Sequence, residues 1–376
     1  MKKIIILGAT GSIGKNTLSV IRDNRKDFVI VALSAHTREK ELLAAAETFG
    51  VPRLCLSGKE PSSERIHFKG SLGLQRMIEE TEADIVVNGI AGSPGLLPSA
   101  TALHSGKHLA LANKETIVMA GKLMRRLAEE KGVTILPVDS EHSAVFHLLR
   151  GRPEREVSEI ILTASGGPFR TTPLDDFQNI TLQQALKHPT WSMGKKISID
   201  SATMANKGLE VIEAHELFPV AAKDIKVLIH PESMVHSLIR TLDGALYAQI
   251  SKPDMRIPIQ NALTFPDIKQ STFGFLDLAQ RSLSFYNPDR GRYPLLYLAY
   301  SALESGGSYP LAFNAANETA VDAFIKGEIG FLAIYQAVKD TLEADWSTQA
   351  DDFGTVMEID KAVRLYTADI VKRLTE

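Results

Sequence analysis

The stretch Pro137-Val138-Asp139-Ser140-Glu141 follows directly on the apolar run Val133-Thr134-Ile135-Leu136. Such a run reads as a buried strand, so two acids stand one residue apart just past a strand's carboxyl end. In open α/β sheets ligands collect at that end, and paired carboxylates suit a hard divalent cation. A plain turn explains the same residues, because Asp and Ser cap helices and an acid favours a first helical turn. Further on, Asn206, Lys207 and Glu210 lie at i, i+1 and i+4 of a helical stretch and share one face. There Lys207 could hold a phosphate while Glu210 completes a cation site. A solvated Lys–Glu pair is the bland alternative, and Glu213 and Glu216 are rival acids that spacing does not exclude.

A second chemistry sits at the start of the chain. The β-branched residues 4–7 run into Gly8-Ala9-Thr10-Gly11-Ser12-Ile13-Gly14 and then a helical pattern. Strand, glycine turn and helix is the context of a dinucleotide site: glycines admit the pyrophosphate and the helix N-terminus meets it with N–H groups. A P-loop is excluded, since position 9 is alanine and Asn16 follows Lys15. After the second strand, at 28–33, no acid comes before Glu39, whereas Arg38 is in place. A carboxylate would repel the 2′-phosphate of NADP and an arginine would pair with it, which favours NADP. The same arginine also fits a solvated loop. Asn113-Lys114-Glu115 opens a helix after the strand at 107–112, and from spacing alone a capped helix start accounts for it. Ser165-Gly166-Gly167 breaks the strand at 160–163 and can present a hydroxyl and N–H groups to a phosphate, or be only a turn. His188 to Lys196 carries Trp191 and Met193 without apolar period and reads as a loop or lid, with a core-pinned Trp191 as the alternative.

These residues need particular elements behind them. Strands alternating with helices over the first ~140 residues argue a doubly wound parallel sheet. Right-handed crossovers then put the glycine turn, 113–115 and 139–141 on one edge. Asp200-Ser201 reads as the cap of a helix from Ala202 to Leu217. The stretches 227–230, 234–239 and 245–250, with the hairpin signal Asp243-Gly244, make a mixed middle layer in which His230 and His236 read as packed histidines, with support of the site's ligands from behind as the alternative for either. From Pro294 the pattern is helical, with a last helix at 359–373. The expected α/β architecture is an N-terminal doubly wound, Rossmann-like parallel sheet (1–139, NADPH-binding), a central α+β catalytic domain (140–265, flap 188–196), a linker (266–292) and a C-terminal helical bundle (293–376).

A net charge of −3 offers no field for nucleic acid or an anionic membrane. No stretch approaches the ~18 apolar residues of a membrane helix. The apolar run after Met1-Lys2-Lys3 stops at Gly8, short of a signal peptide's core. One cysteine, Cys55, excludes an internal disulfide and fits a reducing compartment. A cytoplasmic protein is expected.

Seven motifs, in order, resemble the 1-deoxy-D-xylulose 5-phosphate reductoisomerase family nearly end to end: GATGSIG at 8–14, LANKE at 111–115, PVDSEHSA at 137–144, LTASGGPF at 162–169, HPTWSMG at 188–194, DSATMANKGLE at 200–210 and FNAANE at 313–318. The resemblance implies metal-dependent isomerisation and NADPH reduction of 1-deoxy-D-xylulose 5-phosphate to 2-C-methyl-D-erythritol 4-phosphate, in non-mevalonate isoprenoid biosynthesis, by a homodimer using Mg²⁺, Mn²⁺ or Co²⁺. It implies Asp139, Glu141 and Glu210 as metal ligands and, with Lys114, as the catalytic set. Lys114, Ser140 and Glu141 would hold the sugar's oxygens. Ser165, His188, Ser201, Asn206 and Lys207 would surround the substrate, mostly at its phosphate, with Glu210 beside them and Trp191 against the carbon skeleton. Thr10, Gly11, Ser12, Ile13, Asn113, Glu115 and Gly194 would contact NADPH. One departure stands out: where the family carries Gly-Lys/Arg-Asn after the second strand, this chain has His36-Thr37-Arg38, so the NADPH preference rests partly on Arg38.

Three other readings compete. A semialdehyde dehydrogenase also opens on a glycine turn but needs a nucleophilic cysteine, which only Cys55 could be. Another NADP-dependent Rossmann dehydrogenase would need no metal, and a non-enzymatic NADP-binding sensor would have no use for three carboxylates.

Overall fold

The computed structural model describes residues 1–188, 191, 194–218 and 220–375. The chain divides into two compact units. The first holds Met1–Thr116, Met124–Ser143 and Asp254–Phe275; the second holds Ile117–Leu123, Ala144–Pro253 and Leu276–Glu376.

The first unit is built on β1 (Lys2–Leu7), α1 (Ser12–Asp23), β2 (Phe28–Ala35), α2 (Glu39–Phe49), β3 (Arg53–Leu56), β4 (Phe68–Lys69), α3 (Gly70–Glu80), β5 (Ile85–Asn88), α4 (Leu96–His104), β6 (His108–Leu111), the start and end of α5 (Lys114–Lys131), β7 (Ile135–Pro137) and the first turn of α6 (Ser140–Leu149). Its seven strands are all parallel, in the order β4-β3-β2-β1-β5-β6-β7. Strand order reverses at β1, which pairs with β2 on one side and β5 on the other. Ile4 to Leu7 and Ile85 to Val87 are buried, as befits strands covered on both faces. The short strands β3 and β4 extend the sheet beyond what sequence periodicity marks.

The second unit carries β8 (Val157–Ala164), α7 (Leu182–Ala185), α8 (Lys195–Thr203), α9 (Ala205–Leu217), β9 (Ile225–Ile229), β10 (Val235–Thr241) and β11 (Leu246–Ile250). The next helix, α10 (Arg256–Thr264), belongs to the first unit, where it packs on α1 and the Lys2 ammonium donates to the Leu263 carbonyl at 3.0 Å near its end. The second unit resumes with α11 (Pro294–Ser305), α12 (Tyr309–Lys326), α13 (Phe331–Leu342) and α14 (Phe353–Thr375). Its four-stranded sheet runs β11-β10-β8-β9, antiparallel except for β8 with β9. Residues from β8, β9, β10, α9 and α11 share one apolar core.

Two helix starts differ from the sequence reading. Asp200 and Ser201 do not cap a helix; they lie inside α8, and the break falls at Met204. Asp200 is held there by Asn317, distant in sequence, and by Lys196 one turn earlier, which override its local cap preference. The last helix begins at Phe353, because Asp352 caps it: its carboxylate accepts the Thr355 N–H at 2.9 Å.

Candidate active site

In the first unit, the glycine turn, residues 113–115 and residues 139–141 all follow the carboxyl ends of parallel strands, β1, β6 and β7. Two glycines make the turn possible. Gly8 takes φ +74°, and a Cβ on Gly14 would lie 2.4 Å from the Gly8 carbonyl oxygen and the Ala9 Cα. Helix α1 then starts after Gly11, whose own N–H closes the turn on the Gly8 carbonyl at 2.9 Å, with no side-chain cap, so Ser12 and Ile13 present the first-turn N–H groups that suit an anion. Arg38 lies against the same turn, its guanidinium donating to the Thr10 carbonyl at 3.1 Å with Glu41 3.7 Å away.

Asn113 is almost wholly buried and already occupied. Its oxygen accepts the Thr116 N–H at 2.9 Å, capping α5, while its amide donates to the carbonyls of Ile90 at 2.7 Å and Gly92 at 2.8 Å. The side chain thus fixes the loop after β5 beside the start of α5. Glu115, also buried, lies 3.2 Å from the Asn113 amide. Asp139 and Glu141 offer carboxylate oxygens within 4.8 Å of each other. Lys114 pairs with Asp139 at 2.5 Å, His142 Nδ1 lies 4.0 Å from the same oxygen, and Ser140 donates to Glu141 at 2.5 Å.

The second unit holds the other group. Ser165 follows β8, and its Oγ meets His188 Nε2 at 3.1 Å and accepts the Gly167 N–H at 3.2 Å. His188 Nδ1 accepts the Trp191 backbone N–H at 2.9 Å, which places the ring proton on Nε2. Burial pushes the imidazole down to about 4, so it is neutral near pH 7. With Nε2–H and the Gly167 N–H both donating to it, Ser165 keeps its own proton to give. Gly167, at φ +66°, lies against Ser201: a Cβ there would sit 2.6 Å from the Ser201 carbonyl oxygen.

Met204, buried at φ 61°, joins α8 to α9. A non-glycine residue in this left-handed region costs about 1–2 kcal/mol, and such strain collects at functional sites. Ser201 precedes the break and Asn206 and Lys207 follow it in the first turn of α9. Both Asn206 Nδ2 and Lys207 Nζ donate to the Glu210 carboxylate. Lys207 is 3% exposed and Glu210 1%, which rules out the solvated-face reading. Glu213 is equally buried, so burial does not separate the rivals.

Gly194 begins α8 as its N-cap, and Trp191 is half-buried. Of the segment 188–196, residues 189, 190, 192 and 193 lie outside the described residues. His230 is a packing residue, as its sequence suggests: Nε2 accepts the N–H groups of Met234 and Val235 at 3.2 and 3.1 Å. His236 is buried and likewise pushed down to about 4. Sequence reasoning made Asp200 only a helix cap and gave no role to Asn317, yet the two meet at 2.8 Å in the second unit; no local signal links residues so far apart. Cys55 is buried in β3 and its thiol is pushed up to about 12, which removes the cysteine-nucleophile reading. Among the described residues, no helix is long and apolar enough to cross a membrane.

Family profiles for 1-deoxy-D-xylulose 5-phosphate reductoisomerase match residues 4–121, and those for its C-terminal domains match 135–218 and 250–366. The 1-deoxy-D-xylulose 5-phosphate reductoisomerase of Treponema denticola is 46% identical over 367 residues, 96% of this chain and 95% of the relative. That of Chlorobium chlorochromatii is 45% identical over 374 residues, 97% and 98%. Among solved structures, the reductoisomerase from Zymomonas mobilis in complex with NADPH is 39% identical, with TM-score 0.90 over 98% of this chain and 99% of that one. A crystal structure of DOX-P reductoisomerase in complex with NADPH, fosmidomycin and magnesium is 37% identical, with TM-score 0.93 over the whole of both chains.

Proposed function

This chain belongs to the 1-deoxy-D-xylulose 5-phosphate reductoisomerase family, and on that premise we propose how its own residues carry out the reaction. It is an NADP-dependent oxidoreductase that isomerises and reduces 1-deoxy-D-xylulose 5-phosphate to 2-C-methyl-D-erythritol 4-phosphate, with NADPH and a divalent cation as cofactors.

Asp139, Glu141 and Glu210 form the proposed cation set. Three carboxylates are the hard oxygen donors that magnesium prefers, and a relative binds magnesium together with NADPH and fosmidomycin. A bound cation supplies Lewis-acid stabilisation and a template for the sugar's adjacent oxygens; bound NADPH supplies the hydride. Lys114 and Ser140 orient the oxygens of the sugar, and the Lys114 ammonium adds positive charge beside Asp139. Ser165, Ser201, Asn206 and Lys207 take the phosphate. His188, neutral and with its proton on Nε2, holds Ser165 so that the serine hydroxyl donates outward. The phosphate does no chemistry; its binding energy drives closure of the 188–196 flap, with Trp191 over the carbon skeleton, and closure excludes water. Thr10, Gly11, Ser12 and Ile13 receive NADPH, Arg38 pairs with its 2′-phosphate, and Asn113, Glu115 and Gly194 complete the cofactor's surroundings.

In functional terms 1–139 carries the cofactor, 140–265 the chemistry, and 293–376, reached through 266–292, supports it. The reading is supported most by the buried grip of Lys207 and Asn206 on Glu210 beside the strained Met204, an arrangement too costly for packing alone. The assay is NADPH oxidation with 1-deoxyxylulose 5-phosphate, with Mg²⁺ or Mn²⁺ and with EDTA. Turnover that depends on both metal and sugar phosphate is expected. Turnover unaffected by EDTA would overturn the metal assignment.

A homodimer, cytoplasmic and serving isoprenoid precursor synthesis, completes the proposal. The free thiol of Cys55 is in keeping with a reducing compartment. Edge strand β11, Leu-Tyr-Ala-Gln-Ile, bears no charge and exposes Leu246, Tyr247 and Ile250, whereas edges left bare are normally blunted by charge. Sedimentation equilibrium should return twice the chain mass; a monomer at micromolar concentration would refute pairing there.

A further inference from the structure

The FNAANE segment, 313–318, matches the family but has no part in the chemistry described above. Three of its residues, Asn314, Asn317 and Glu318, carry polar side chains on one side of α12, and the first two are fully buried. Asn317 Nδ2 donates to Asp200 Oδ1 at 2.8 Å. Asp200, 1% exposed, receives Lys196 Nζ on its other oxygen at 2.9 Å. Lys196 also faces Glu318 at 3.9 Å, Glu318 accepts from Arg364 at 2.6 Å, and Arg364 grips Asp360 at 2.7 and 2.9 Å. A chain of polar contacts thus runs from α8 across α12 to α14, and its α8 end is the residue directly before Ser201.

Burying a carboxylate forfeits its hydration, and an apolar pair of the same size generally serves stability as well or better. What a carboxylate–amide bond adds is direction: it fixes where one helix stands along another. The backbone beyond Asp200 has little slack. Thr203 Oγ donates to the carbonyls of Ile199 and Asp200, both at 3.2 Å, and accepts the Ala205 N–H at 3.3 Å. Gly167 is packed on the Ser201 carbonyl, and Met204 is locked left-handed. A displacement of Asp200 therefore carries Ser201, Asn206 and Lys207 with it, together with the Gly194 end of the flap segment.

We propose that Asn317 is a positioning residue for the phosphate subsite, acting through Asp200 to hold α8 and the start of α9 in register. It touches neither substrate nor cofactor. The inference rests on the reading of Ser201, Asn206 and Lys207 as phosphate ligands.

The test uses Asn317→Ala and Asn317→Asp in the full chain. Asn317→Ala should raise KM for the sugar phosphate and weaken inhibition by inorganic phosphate by about 10-fold each, since misplacements below 1 Å already cost this much, while KM for NADPH stays within 2-fold. In Asn317→Asp two carboxylates face each other with Lys196 as the nearest cation, so the defect should ease as pH falls from 8 to 6 and the pair takes up a proton; the parent should show no such easing. Parallel changes in both KM values, or no change in either, would overturn the assignment. Failure of both variants to fold would also overturn it, making Asn317 a purely structural residue. If inorganic phosphate does not compete with the sugar phosphate in the parent, the phosphate reading itself has failed. If it competes and the variants match the parent, only the role of Asn317 has failed.

Discussion

The nucleotide turn of the first unit and the Glu210 cluster of the second, each a proposed binding site, are built in opposite ways. In the first, the work falls to backbone: Gly8 and Gly14 shape a turn, α1 starts without a side-chain cap, and Asn113 is spent on holding loops. In the second, buried side chains do it, with Lys207 and Asn206 on Glu210, His188 on Ser165 and a strained Met204 between two helices. A dinucleotide offers a long anionic spine that many N–H groups can follow. A small sugar phosphate offers few atoms, so each must be met by a fixed, desolvated group, at a cost in burial and strain.

Changes in the Glu210 cluster should therefore strike turnover, and changes at the glycine turn should strike cofactor binding. The largest effect is expected at Glu210→Gln. One carboxylate oxygen becomes a donor beside the Lys207 ammonium, and kcat should fall about 1,000-fold, the loss typical when transition-state charge loses its stabiliser. NADPH affinity, read by fluorescence titration, should stay within 2-fold; parent-like turnover in saturating Mg²⁺ would remove Glu210 from the set. Next comes Gly14→Ala, whose Cβ meets backbone at 2.4 Å. It should weaken NADPH about 10–100-fold through a turn displaced by a fraction of an ångström, and leave inhibition by inorganic phosphate unchanged. Equal weakening of both would mean the two sites are not separable as described.

The smallest effect is set by pH. The His188 and His236 imidazoles are pushed down to about 4 from an ordinary 6.5 by burial. Between those values the unfolded chain binds protons that the native chain refuses. Stability is therefore full above pH 6.5 and is lost as pH falls toward 4. His188→Asn keeps an acceptor for the Trp191 N–H but does not titrate, so its Tm should drop by a few degrees less than the parent's over that range. Identical acid profiles would show that His188 is not buried neutral.

The contrast also explains what the sequence revealed. The nucleotide sheet was legible because its signals are local: β-branched runs, a glycine turn, then helical period. Only β3 and β4 escaped, being too short to show a period. Lys207 and Glu210 were legible as a shared helix face, though their burial was not. Asp200 was misread as a cap because Asp-Ser before an apolar run is a cap signal, while the partner that keeps it inside α8, Asn317, lies 117 residues away. Met204's left-handed φ has no sequence signature at all, since glycine or asparagine is what that conformation normally selects.

The central proposal is that Asp139, Glu141 and Glu210 serve a single ion. Mn²⁺ binding, followed by electron paramagnetic resonance in the parent, Asp139→Asn, Glu210→Gln and the double variant, tests it most directly. A shared ion predicts one Mn²⁺ per chain in the parent, at least 10-fold weaker binding in each single variant, and coupled rather than additive losses in the double. Parent-like Mn²⁺ affinity in either single variant would contradict it.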